Sequence, residues 1–147
     1  MIVRKKRVVV RPGDIIGVRL EEGKVAVGIV LHVSGLFKDA IMIGFYDRLF
    51  DSIEDIDVES LGGGFIETPN YTGRQLVTSG RWKIVGNSPT MLAAAHVPEL
   101  RVVYTLYCKD QVIRQLALDE FKEYAELAGQ GGLFIEDKLR RYFAEKQ

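Results

Sequence analysis

The stretch that most constrains the fold lies between residues 11 and 33, where the sequence predicts a β-hairpin. Apolar residues recur at a two-residue period, first at Ile16, Val18 and Leu20, then at Val25, Val27, Ile29, Leu31 and Val33. Glu21-Glu22-Gly23 lies between the two runs and suits a short loop, because glycine accepts a positive φ without a Cβ clash. We expect two antiparallel strands, a loop centred on Glu22 and Gly23, and no helix in this span.

A turn precedes the hairpin at Arg11-Pro12-Gly13-Asp14. Proline fixes φ at the second position of such a turn, and glycine tolerates the left-handed third position. The Asp14 side chain can bond back to the local backbone. The hairpin is thus delimited by residues that have stereochemical reasons to be there.

Length and composition predict one α+β domain spanning residues 1–147. The single Cys108 cannot form an intrachain disulfide, and His32 and His96 are too few for a zinc cluster, so we expect no metal and no cofactor. The N-terminal segment lacks a signal-peptide core, and no stretch approaches the roughly 20 apolar residues of a membrane span. We therefore expect a cytoplasmic protein without a membrane partner.

Charge is distributed unevenly although the formal net charge is zero. The charged residues among the first 38 are mostly basic and include the run from Arg4 to Arg7. Residues 39–70, in contrast, carry eight carboxylates against Arg48 alone. Zero net charge argues against a general nucleic-acid binder. The basic run is interpreted as a charge-protected edge strand within residues 2–10, with nucleic-acid contact as the alternative.

The remaining pattern indicates strands followed by helices. Residues 40–47 form an apolar run typical of a central strand covered on both faces, and Gly28 and Gly44 interrupt strands where a bend or a close backbone approach is needed. Further strands are expected at residues 81–86, 100–107 and 111–115, and short helical segments at 72–79 and 91–95. Helical spacing then predicts two C-terminal helices, the first from Leu118 to Ala128 and the second carried by Ile135, Leu139, Tyr142 and Phe143.

These elements predict a strongly bent antiparallel β-sheet or partial barrel with the C-terminal helices packed on it. Trp82 is the only tryptophan, and we expect it to anchor the core with its indole N–H bonded to a carbonyl. Ligand stacking is the alternative role for this residue.

The sequence shows no recognisable active site. Nucleophilic catalysis needs an activated Ser or Cys with a base in reach, and only Cys108, His32 and His96 are available for a Cys–His pair. A meeting of Cys108 with His32 stays open at this point. We therefore expect no catalytic residues and no enzyme.

Several short motifs together resemble the immunity protein 26 family of bacterial polymorphic-toxin systems. They comprise Pro12-Gly13-Asp14-Ile15, Val27-Gly28 with Val30-Leu31, Ile43-Gly44-Phe45-Tyr46-Asp47, and Gly80-Arg81-Trp82 with Ile84 and Gly86. The resemblance spans roughly residues 8 to 89. It implies a protein that binds and neutralises a cognate toxin domain, a role that needs a surface and no catalytic residues.

The resemblance does not locate the surface that binds the toxin, but charge suggests one. Many toxins act on nucleic acid through basic clefts, which an inhibitor can match with clustered carboxylates. The one dense acidic run consists of Asp51, Glu54, Asp55, Asp57 and Glu59, and we expect a short helical turn there, pinned to the sheet by Phe50, Ile53 and Ile56. The alternative to a toxin-neutralising protein is a small barrel-like nucleic-acid or regulatory binding module using the basic first strand.

Overall fold

The computed structural model describes residues 8–62 and 64–146 and contains two β-sheets and three α-helices. The main sheet has six strands in the order β5-β1-β2-β3-β4-β9, namely β1 (Asp14–Arg19), β2 (Val25–Val33), β3 (Ala40–Phe50), β4 (Asn70–Gly73), β5 (Trp82–Asn87) and β9 (Gly129–Gln130). The small sheet comprises β6 (Glu99–Val102), β7 (Thr105–Cys108) and β8 (Gln111–Gln115). The helices are α1 (Gln75–Thr78), α2 (Pro89–Ala94) and α3 (Gly132–Glu145).

The predicted hairpin is confirmed. Strands β1 and β2 pair antiparallel from Ile15 opposite Ile29 to Arg19 opposite Val25, and Gly23 has a φ of 77°. The loop is a single 3-10 turn, Glu21–Gly23, so the exclusion of every helical residue from this span was too strict. The preceding turn is also confirmed, with Gly13 at a φ of 89° and the backbone N–H of Asp14 donating to the Arg11 carbonyl at 3.1 Å.

Both faces of the main sheet are covered, as the apolar run of β3 predicts. One face carries a cluster that includes Val18, Phe45 and Trp82 and packs against α3. The other face carries a second cluster, which includes Leu31, Tyr46 and Phe50 together with segments from the loops after β3 and β5. Strand β3 lies between β2 and β4, with every residue from 41 to 46 buried.

The sheet is open, so of the two predicted forms it is the bent sheet and not a barrel. Its pairs are antiparallel except for the short parallel pair between β4 and β9, which makes the sheet mixed. The register between β2 and β3 shifts after Ala26 and again after Val30. Gly28 lies where the two strands approach closely, since a Cβ there would lie 2.9 Å from the carbonyl oxygen of Gly44.

Helix α3 is fixed to the main sheet by apolar contacts and by one buried carboxylate. Ile135, Leu139 and Phe143 are buried at helical spacing, as predicted for this helix. Trp82 is fully buried, and its indole N–H donates to Oε1 of Glu136 at 2.8 Å. The core-anchor role of Trp82 is confirmed, but its acceptor is a carboxylate and not the expected carbonyl. The Arg81 guanidinium donates two further hydrogen bonds to the Glu136 carboxylate, at 2.7 and 2.8 Å.

The region from 99 to 115 contains three strands where the sequence predicted two. The missed break is the two-residue connection Val103-Tyr104, where Val103 adopts a φ of 53°. A β-branched residue rarely takes this conformation, and neither residue carries the Gly, Asn or Asp signal of a tight turn. The sequence therefore gave no local sign of the hairpin.

The predicted helix from Leu118 to Ala128 is wrong for most of its length. Only Leu118–Glu123 is helical, as a 3-10 segment. Beyond it the backbone pairs with β6, since Arg101 donates its N–H to the Ala125 carbonyl at 2.9 Å and accepts from Leu127 at 2.8 Å. The chain then continues into β9. Tertiary pairing with an otherwise open strand edge has overridden the helical pattern here.

Three smaller predictions have mixed outcomes. Residues 2–7 of the expected first strand, with the basic run, lie outside the described residues, and residues 8–10 form no strand. The helix expected at 72–79 is confined to α1, because Thr72 belongs to β4. The helical turn expected at 91–95 is confirmed as α2. No helix in the described part of the chain is long and apolar enough to cross a membrane.

Replacement of Trp82 should test the core. We expect Trp82→Ala to lower the free energy of unfolding by an amount on the order of 3 kcal/mol, because it leaves a cavity and removes a donor from Glu136. The exposed neighbour provides the control, since Lys83→Ala should change stability by less than about 0.5 kcal/mol. Urea unfolding curves measure both values. An unchanged midpoint for Trp82→Ala would contradict the buried anchor.

Glu136 should make stability depend on acid pH. The Arg81 guanidinium, bonded to this carboxylate, lowers the pKa of Glu136 from its ordinary value of 4.5 in spite of burial. A carboxyl whose pKa is lowered by folding stabilises the protein above the unfolded pKa, and that contribution is lost as pH falls through the folded pKa. We therefore expect the free energy of unfolding to decline below about pH 4.5, and less steeply in Glu136→Gln. Parallel slopes in urea titrations of the two proteins would refute this.

Candidate functional site

The acidic run directly follows β3 and is held against the sheet, as the sequence predicted. Phe50 is buried in the second cluster, and Ile53, Ile56 and Val58 pack against that cluster while partly buried. The backbone forms two 3-10 turns, Ile53–Asp55 and Val58–Ser60. We call residues 51–59 the acidic segment. Its apolar side chains face the sheet, which leaves its carboxylates at the surface.

Gly17 on β1 provides the space into which this segment packs. A Cβ at Gly17 would lie 2.6 Å from Cδ1 of Ile53 and 3.3 Å from Cδ1 of Ile56. A carbon–carbon contact of 2.6 Å essentially never occurs, so a Cβ at this position would require the Ile53 side chain to shift. The absence of a side chain on β1 therefore allows the acidic segment to lie directly on the strand.

The five carboxylates differ in what they bind within the protein. Asp51 forms an ion pair with Lys24, whose hydrogen bond lowers the pKa of the Asp51 carboxyl. Asp57 caps the second turn by accepting the backbone N–H of Glu59 at 3.2 Å. The Ser52 side chain makes no capping hydrogen bond at the first turn. Within residues 8–62 and 64–146, no side-chain partner contacts the exposed carboxylates of Glu54, Asp55 and Glu59.

An open cleft of about 740 Å³ lies on the same face of the sheet. Its floor includes Tyr46, one wall is formed by the chain around Leu61 and Phe65, and the opposite wall by residues 91–98. Five of its lining residues belong to or pack against the second cluster, the one that holds the acidic segment, namely Tyr46, Leu61, Phe65, Met91 and Ala95. Sequence reasoning missed this cleft, because the walls come from two connections that are far apart in the chain.

His32, one member of the possible nucleophile pair, is part of a structural cluster. Nε2 of His32 lies 3.0 Å from Oδ2 of Asp110, outside hydrogen-bond geometry but within ion-pair distance. Asp110 also accepts hydrogen bonds from the Ser34 hydroxyl at 2.7 Å and from the Gly35 backbone at 2.8 Å. These bonds join the β7–β8 turn to the β2–β3 loop. The Ser34 hydroxyl also accepts the backbone N–H of Phe37 at 2.8 Å, so this side chain stabilises the loop.

Tyr71 extends the same cluster. Its hydroxyl donates to the carbonyl of Lys109 at 3.0 Å. Burial, reinforced by the negative charge of Asp110, raises the pKa of Tyr71 to about 12. A phenol held neutral in this way is a hydrogen-bond donor that supports the turn. The cluster therefore connects the two sheets. Among the described residues, no group of three or more His, Cys, Asp or Glu side chains could hold a metal ion.

The fold defines an α+β protein built on an open, mostly antiparallel sheet. The model of the family described as Immunity protein 26 matches residues 11–112, and the chain belongs to this family. The match confirms the resemblance and extends beyond the motifs, so that it includes the acidic segment and the strands β6 and β7 of the small sheet. Searches of curated proteins and of solved structures gave no significant match.

Membership of this family makes the protein an immunity protein against toxins, with a protein toxin as its partner. The family is generally non-enzymatic. Helix α3 lies outside the matched range. The buried Glu136 that binds Trp82 is therefore contributed by a part of the chain that the family model does not include.

The Lys24–Asp51 ion pair can be tested directly. We expect Lys24→Ala to return the pKa of Asp51 upward toward its ordinary value of 3.8, because the ammonium that stabilises the charged form is removed. The carboxyl of Asp47 serves as the internal reference, since its pKa is lowered by a hydrogen bond from Lys146 and not by Lys24. NMR titration of the side-chain carboxyl carbons measures both groups. An unchanged Asp51 titration would show that the pair does not form in solution.

Proposed function

We propose that this protein neutralises a cognate toxin domain by binding it, and that the acidic segment is part of the surface that binds. The observation that carries the proposal is the arrangement of residues 53–59. Apolar side chains fix the backbone of this segment to the sheet, while Glu54, Asp55 and Glu59 remain exposed and have no side-chain partner among the residues that the structure describes. Carboxylates held at fixed positions match a basic surface at lower entropic cost than those of a flexible loop.

Electrostatics supports the same role. Crowding of like charges destabilises the folded state, and a basic partner removes this cost on binding. A toxin that acts on nucleic acid needs a cationic cleft for phosphates, and fixed carboxylates can occupy the phosphate positions. Long-range attraction of this kind increases the association rate more than it increases the affinity of the complex.

The remaining parts of the proposal follow from the chain itself. We propose that residues 1–147 act as one domain, which is supported by the bonds from Glu136 to Trp82 and from Asp110 to Ser34. We propose a binding function without catalysis, consistent with the family and with the structural use of Ser34. A cytoplasmic location is supported by the free thiol of Cys108, which a reducing compartment preserves.

Charge reversal in the acidic segment tests the proposal. The triple variant Glu54→Lys, Asp55→Lys and Glu59→Lys avoids Asp51 and Asp57, which bind other parts of the protein. We expect its association with the cognate toxin domain to slow by at least about tenfold at low salt, because attraction becomes repulsion. The difference should shrink as salt is raised, since ions screen exposed charges. Stopped-flow measurements at two salt concentrations give the rates.

The matched control reverses three exposed carboxylates elsewhere, at Asp119, Glu123 and Glu126, which gives the same change in net charge. We expect a smaller effect on the association rate from this variant. Equal slowing by both triples would contradict a local role for the acidic segment. A wild-type protein that fails to bind the toxin or to protect cells producing it would contradict the proposed function. Salt-sensitive binding to labelled RNA or DNA would then favour the nucleic-acid alternative.

A further inference from the structure

The open cleft beside the acidic segment has walls that are fixed before any partner binds. The Phe65 ring lies 5.2 Å from the Tyr46 ring between centroids, and Ile66 donates its backbone N–H to the carbonyl of Phe45 at 2.9 Å. Phe65 also packs on the bare backbone of Gly44, where a Cβ would lie 2.6 Å from the ring. The absence of a side chain at Gly44 thus determines where this wall stands.

The opposite wall is equally well anchored. Helix α2 begins with a cap in which the Ser88 hydroxyl accepts the backbone N–H of Met91 at 3.2 Å. Met91 and Ala95 pack against the second cluster, whereas Ala94 is exposed and lines the cleft. A volume of about 740 Å³ lies within the range of roughly 300–1,000 Å³ that is typical of ligand pockets. The cleft is therefore a preformed recess large enough for several side chains.

Charge around the cleft determines which occupant it suits. The described residues that line it include no Lys or Arg, and the carboxylate of the lining residue Glu67 forms an ion pair with Lys138. The chain enters the cleft wall at Leu61 directly from the turn Val58–Ser60, so the exposed carboxylates of Asp57 and Glu59 precede that wall in the chain by two to four residues. An apolar floor beside the exposed carboxylates of Asp57 and Glu59 complements an apolar side chain flanked by cations.

We propose that this cleft receives a protruding segment of the toxin, which inserts an apolar anchor side chain and carries Lys or Arg beside it. The inference rests on the proposed function and assigns the anchoring part of the contact, while the acidic segment contributes the attraction. Anchors buried in preformed pockets supply most of the affinity in protein complexes, whereas charges at the rim act mainly on the association rate. The cleft should therefore control dissociation.

Two neighbouring alanines on α2 allow a matched test. Ala94 lines the cleft, Ala93 does not, and both are exposed. Calorimetric titration with the catalytically inactivated cognate toxin domain should show that Ala94→Arg weakens binding by at least about tenfold, through blockage and charge repulsion. Ala94→Glu should weaken it less, because the bulk is similar but the charge attracts a basic flank. Ala93→Arg should remain within about twofold of wild type, and thermal melting verifies that all three variants fold.

Each contrary result has a distinct meaning. Binding of Ala94→Arg within twofold of wild type overturns the cleft as the anchor site and leaves the proposed function intact. Equal weakening by Ala93→Arg and Ala94→Arg overturns the cleft in the same way. Equal losses in Ala94→Arg and Ala94→Glu overturn the basic character of the occupant. A wild-type protein that does not bind the toxin overturns the proposed function, and this inference with it.

Discussion

The packing of α3 against the main sheet depends on the hydrogen bonds that the Glu136 carboxylate accepts from the sheet. This carboxylate is almost completely buried, and it accepts hydrogen bonds from the indole of Trp82 and the guanidinium of Arg81. A buried carboxylate without partners would be strongly destabilising, so these donors and the helix must be present together. The requirement fixes the rotation of α3 about its axis, which places Ile135, Leu139 and Phe143 on the sheet. One face of the sheet is thereby closed.

Closure of that face leaves the opposite face for binding. There the acidic segment packs over Gly17, and the cleft wall at Phe65 packs over Gly44. In both places a strand lacks a side chain at the point where a loop side chain lies on it. Loops seated in this way become part of the rigid surface, and rigidity lowers the entropic cost of presenting charges and an apolar recess to a partner. The same sheet thus supports a structural face and the face that we propose for recognition.

The sequence predicted elements well where the local signal and the tertiary demand agree. The hairpin around Gly23, the buried strand β3 and the helix carrying Leu139 have periodicity and turn chemistry that point to the same structure. Prediction failed at the Val103 turn and after Glu123. The turn at Val103 contains no Gly, Asn or Asp that would mark it in the sequence. After Glu123, backbone pairing with Arg101 overrides a helical pattern. Neither cause is visible within a local window.

The candidate site likewise has features that the local sequence predicts and features that it does not. The sequence by itself determined that an acidic run follows a buried strand, with Phe50, Ile53 and Ile56 spaced to hold it, because alternation of apolar and charged residues reflects which side faces water. Only the tertiary structure decided that Asp51 binds Lys24, that Glu54, Asp55 and Glu59 have no such partner among the described residues, and that a cleft opens beside them. The physical reason is that burial preference is a property of each residue, whereas pairing and cavity shape depend on distances between segments that only the folded chain brings together.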